Sequence, residues 1–157
     1  MINQACCFTG HRKILEEEKP LLEKRLEAVI HNLVYNDVSH FYAGGALGFD
    51  TMAALSVLKL KSELPHVRLH LALPCKDQSK SWNEADKKIY NHILCQADQV
   101  VYASEHYFNG CMQQRNRYLV DHSQYCVCYL NESKGGTANT VNYALRKGVT
   151  VINLWFT

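Results

Sequence analysis

The feature that most constrains this chain is a regular alternation of short apolar runs with longer amphipathic ones, sustained from residue 5 to residue 154. Runs with strand character occur at 5–8, 38–43, 67–73, 98–102, 125–130 and 149–154. Segments with helical spacing lie between them, at 14–36, 50–64, 82–96, 112–121 and 141–147. In the first, Leu15, Leu22, Leu26, Val29, Ile30 and Leu33 recur at helical spacing, Glu16, Glu17 and Glu18 make a solvated first turn, and Pro20 falls where a helix tolerates proline. Strand followed by helix with short connections predicts right-handed βαβ units. The expected fold is therefore α/β, a Rossmann-like three-layer α/β/α sandwich with a mostly parallel sheet. The 125–130 run is the most apolar strand candidate, so it is expected near the middle of the sheet, where both faces are covered.

A length of 157 residues with 47% hydrophobic content suits a single domain over 1–157 with a sizeable core. A formal charge of +2 is too mild to imply nucleic-acid or membrane binding by itself. No secretory apolar segment and no apolar run of membrane-spanning length is present, so a soluble, cytoplasmic protein is expected. The seven cysteines form no CxxC pair and mostly sit in apolar runs, where reduced cysteine behaves as a small hydrophobe. Of the eight histidines only His66 and His70 are four apart, and they fall at a strand-like run rather than on a helix, so no metal site is expected.

Two glycine turns carry the candidate chemistry. The first, Gly44-Gly45-Ala46-Leu47-Gly48-Phe49-Asp50, joins a strand to a helix start, and the second, Gly135-Gly136-Thr137-Ala138-Asn139-Thr140, follows the most apolar strand. Glycines there permit positive φ and close approach of a ligand, while the first N–H groups of a helix lack internal partners and favour an anion such as phosphate. Asp50 could cap its helix or accept from a ligand hydroxyl; capping is the simpler role. Thr9-Gly10-His11-Arg12 ends the first strand, and in open α/β sheets ligands lie beyond the carboxyl ends of strands. Arg115 and Arg117 are two apart on one helix, so at most one can point into a site. No Gly-x-Gly-x-x-Gly follows the first strand and no Gly-Lys-Ser/Thr loop exists, which weakens dehydrogenase and NTPase readings.

Together, Cys7-Phe8-Thr9-Gly10-His11-Arg12, the two glycine turns and Arg115-Asn116-Arg117-Tyr118-Leu119-Val120-Asp121 resemble the YpsA-like family of the SLOG superfamily. That superfamily includes the DNA-processing protein DprA/Smf and the LOG, "lysine decarboxylase-like" phosphoribohydrolases. The resemblance implies a Rossmann-like fold with a phosphorylated nucleoside derivative held over the strand ends. Gly44, Gly45, Gly135 and Gly136 would cradle phosphate, and Thr9 and Thr137 would donate hydroxyl hydrogen bonds. Arg12 and Arg115 or Arg117 would supply charge, and Asp50 would accept from ribose. Gly10, His11, Ala46, Gly48 and Asn139 complete the implied binding set.

In LOG enzymes a helix arginine and a glutamate in the second glycine motif support N-glycosidic cleavage. The corresponding turn here holds no carboxylate, which leaves Asp50, Arg115, Arg117 and Asp121 as the catalytic candidates and makes a sensor the first expectation. A nucleotide phosphoribohydrolase-like enzyme is the alternative, and DprA-like single-stranded DNA binding the second. No cofactor is required on this reading; the expected partner is a nucleotide-like small molecule, with nucleic acid unexpected. The resemblance further implies a homo-oligomer, whose message a protein partner would read.

Overall fold

The computed structural model describes residues 4–155. Its strands are β1 (Gln4–Gly10), β2 (Val38–Ala43), β3 (Arg68–Cys75), β4 (Gln99–Ser104), β5 (Tyr125–Tyr129) and β6 (Thr150–Asn153). The helices are α1 (Lys19–Tyr35), α2 (Phe49–Glu63), α3 (Glu84–Gln96), α4 (Cys111–Asp121) and α5 (Gly136–Arg146). The six strands form one sheet in the order β4-β3-β2-β1-β5-β6, and every pairing is parallel.

From β1 the chain steps outward to β4, then returns to β5 on the far side of β1. Right-handed crossovers therefore put α1, α2 and α3 on one face and α4 and α5 on the other, and α1 packs on α2, α2 on α3 and α4 on α5. Strand alternation feeds two cores. Cys6, Phe8, Phe41, Leu69, Leu71 and Leu73 point to the first face, while Cys7, Ala72 and Cys126 point to the second, against Leu119, Val120 and Ala144. All seven cysteines are free, and Cys95 is the exposed one. No helix among the described residues is long and apolar enough to cross a membrane.

Some expected boundaries move. A 3-10 turn at Glu16–Glu18 precedes α1, and Glu18 is not simply solvated: its Oε1 accepts from the Tyr129 hydroxyl. The β5 strand lies one place in from the edge, between β1 and β6, so β1 and β2 hold the middle; its apolar character reflects helix cover on both faces. The last helix starts at Gly136 rather than Val141. Its opening residues are poor helix formers, but burial of Ala138, Thr140, Val141 and Ala144 along one side overrides local propensity.

Candidate functional site

The turn after β1 and the start of α2 are locked together. A Cβ on Gly10 would lie 2.5 Å from the Phe49 ring, and one on Gly48 would lie 2.2 Å from the Arg12 carbonyl oxygen, so neither position has room for a side chain. Gly48 also has φ 79°, and the Phe49 N–H donates to the His11 carbonyl at 3.1 Å. His11 Nε2 in turn accepts from the Asn131 N–H at 3.1 Å, which puts the proton of a neutral ring on Nδ1 and ties this turn to the loop after β5.

The first glycine turn packs inward. Gly44 and Gly45 are buried; a Cβ on Gly44 would meet Arg115 Nη1 at 2.5 Å and Asp50 Oδ2 at 2.9 Å. Arg115 Nη1 donates to the Gly44 carbonyl and its Nε to Asn116 Oδ1 at 2.8 Å. Gly45, at φ 73°, closes against Leu73, and its carbonyl accepts from Gln78 Nε2 at 3.3 Å. Asp50 does not cap α2, because Gly48 holds the N-cap position. Its Oδ2 instead accepts from the Ala46 N–H at 3.2 Å, reaching back over the turn.

Burial pushes the Asp50 carboxyl up to about 6, against the opposing pull of Arg115, the Ala46 N–H and Arg12. Burial likewise lowers the Arg115 pKa, and the nearby Asp50 charge resists that shift. Among the described residues the two charges close no ion pair; the guanidinium is held by the backbone, Asn116 and the Met112 thioether instead.

The second glycine turn is open. Gly135 has φ 103°, no heavy atom comes within 4 Å of a Cβ built on Gly135 or Gly136, and no side chain caps α5. As at any helix start, its first N–H groups have no partner within the helix. Thr137 is half-buried and Asn139 exposed at this turn, and Thr9 is buried at the end of β1, beside Cys128 of β5. Three helices that start at this sheet edge, α2, α4 and α5, follow glycines with φ 79°, 105° and 103° and lack side-chain caps, whereas Asn83 caps α3. Strand order reverses between β1 and β5, and beyond that point His11, Arg12, Lys13, Glu18, Tyr129 and Asn131 line a cavity of about 410 Å³. That is where an open α/β sheet binds ligands, and the volume lies within the usual range for small-molecule sites.

Two of the candidates are not brought to this edge. Arg117 is exposed and lies over the Tyr143 ring at 5.2 Å, while Asp121, at the carboxyl end of α4 and so at the opposite edge of the sheet, accepts from the Tyr143 hydroxyl at 2.8 Å. Met112, Gln78 and Asn131, which sequence reasoning passed over, do join the site. Met112 stands three residues before Arg115, on the same helix face, and that spacing was a readable signal.

The family model for YpsA, described as the YspA SLOG family, matches residues 6–150. The chain is 35% identical over 136 residues to the uncharacterized SPbeta prophage-derived protein YoqJ of Bacillus subtilis, covering 78% of this chain and 80% of that one. It is 35% identical over 118 residues to a UPF0398 protein of Halalkalibacterium halodurans, covering 74% of this chain and 62% of the longer relative. Among solved structures, DNA processing protein A from Streptococcus pneumoniae superposes with a TM-score of 0.71 at 17% identity, over 96% of this chain and 50% of that one. The Helicobacter pylori protein, whose structure is described for its single-stranded DNA binding mode, gives 0.69 at 18%, over 96% and 65%. At such identities the likeness is one of fold.

Proposed function

The chain belongs to the YpsA family of SLOG proteins, and on that premise we propose that it binds a phosphorylated nucleoside derivative over the carboxyl ends of β1, β2 and β5 and acts as a sensor. A nucleotide, NAD or an ADP-ribose-like molecule has the required chemistry. One observation carries the reading: Arg12 and the buried Arg115 bring two guanidinium charges to the edge where α5 opens without a cap, with Asp50 the one carboxylate buried beside them. Phosphate takes the N–H groups of α5 and the arginines. Asp50, already bonded to the Ala46 N–H, has a second oxygen suited to a ribose hydroxyl. A homo-oligomer is part of the same proposal.

Two further readings each have one observation behind them. Asp50, with its carboxyl pushed up to about 6, is the kind of group that serves as a general acid near neutral pH, which favours nucleotide N-glycosidic cleavage. The fold likeness to a DprA whose structure is described for single-stranded DNA binding favours a nucleic-acid ligand.

A thermal-shift screen against AMP, ADP, ATP, NAD, ADP-ribose and cyclic nucleotides, followed by chromatography after long incubation, separates the three. A ligand at a hundred times its dissociation constant raises stability by about 2.7 kcal/mol. A shift with intact ligand supports the sensor, and a shift with release of free base supports the enzyme. No shift, together with oligonucleotide binding that weakens steeply with salt, overturns both in favour of DNA.

A further inference from the structure

We propose that Met112 is a displaceable placeholder in an oxyanion site between Arg12 and Arg115, its thioether standing where a phosphate oxygen of the ligand will sit. This rests on the nucleotide-site reading above and deepens it with the device that keeps the site closed when empty. Arg115 Nη2 lies 3.6 Å from Met112 Sδ, and Arg12 Nη2 lies 4.0 Å from the same sulfur. Two guanidinium groups far apart in sequence thus converge on one atom.

That atom is a poor partner for them, since a thioether sulfur is only a weak acceptor. Arg115 is 6% exposed; its Nε and Nη1 already serve Asn116 and Gly44, so Nη2, aimed at Met112, is the nitrogen with no protein oxygen on it. Arg12 also disfavours the Arg115 charge, and the carboxylate buried nearby, Asp50, is bonded to the Ala46 N–H. The cluster Arg12, Arg115 and ionised Asp50 carries a net positive charge, which a phosphate monoester would offset with two or more oxygens spanning both forks.

The placeholder is easy to move. Methionine is unbranched with three rotatable bonds, and Met112 is only half-buried, in the first turn of α4 behind Gly110. Once it swings out, the uncapped N–H groups of α4 face the same anion. A methionine that merely filled core space would instead be buried among apolar groups, as Leu119 and Val120 are on the same helix.

The chain has three methionines, so methyl-labelled protein gives a spectrum simple enough to read, with the Met112 signal identified from Met112→Leu. The probes are inorganic phosphate and AMP, titrated by NMR and calorimetry. Phosphate is expected to shift the Met112 methyl and leave Met52 in place. Met112→Ala is expected to bind either probe roughly fivefold tighter, having nothing to displace. Arg12→Ala, an exposed change that spares the core, is expected to abolish the methyl response and weaken binding by about tenfold or more. If Arg12→Ala weakens binding but Met112→Ala does not tighten it and the methyl stays put, the placeholder is overturned and the nucleotide site stands. Binding that ignores Arg12, or no binding by any variant, overturns both.

Discussion

Asp50 is a carboxylate with almost no access to water, placed by a turn that offers it one backbone N–H and two arginines at a distance. Desolvation wins over those partners, so ionisation of this group opposes folding. A folded-state pKa raised from 3.8 to about 6 gives stability that is complete at low pH and lost as pH rises through about 6, on the order of 3 kcal/mol. Asp50→Asn keeps an acceptor for Ala46 and removes the charge. The melting temperature of the variant, relative to wild type, should therefore rise between about pH 4 and pH 7. Gly45 illustrates the same scale from the backbone side. With φ 73° and a Cβ position 2.3 Å from Leu73 Cδ2, Gly45→Ala should lower stability by about 1–3 kcal/mol in urea unfolding, whatever it does to a ligand. Gly44 and Gly45 thus meet a packing requirement, which chain spacing cannot distinguish from a ligand requirement.

Helices divide here by how they begin. Asn83 Oδ1 accepts from the Asp86 N–H at 2.8 Å and closes the start of α3, away from the switch point, whereas α5 begins on bare glycines. Gly136 has ordinary helical backbone and open space around its Cβ position, so an aspartate fits there without strain. Gly136→Asp should stabilise the protein by about 0.3–1 kcal/mol through the helix dipole, measured by thermal unfolding, while weakening nucleotide binding at least about tenfold, because a carboxylate occupies the anion's place. A loss of stability without a loss of affinity would count against the α5 site. Most elements were legible because their apolar spacing is regular, and the start of α5 was missed because its first turn is Gly-Thr-Ala-Asn, where only the buried face holds the helix.

At the scale of the whole molecule, a chain of aromatic contacts underlies the ligand edge. Phe8 stacks on Phe41 at 6.0 Å and meets Phe49 edge-on at 6.3 Å; Phe49 stacks on Tyr129 at 6.1 Å, and Tyr129 meets Trp155 at 5.3 Å. These rings link β2, β1, α2 and β5 beneath the point where strand order reverses. Phe8→Ala, at a fully buried position, should cost about 3–5 kcal/mol in chemical unfolding and weaken nucleotide binding too, since Phe49 carries the start of α2 and its bond to His11.

The alternation of strand and helix, the parallel sheet and the three polar turns at the ends of β1, β2 and β5 followed from the sequence alone, because apolar period and turn chemistry are local properties of the chain. Only the tertiary structure decided that Arg115 turns inward to Gly44 while Arg117 lies on Tyr143, that Asp50 is buried and linked to Ala46, and that Met112 stands between two arginines. Those outcomes depend on which helix faces which turn across about a hundred residues of chain, a relation fixed by sheet order and crossover hand rather than by spacing.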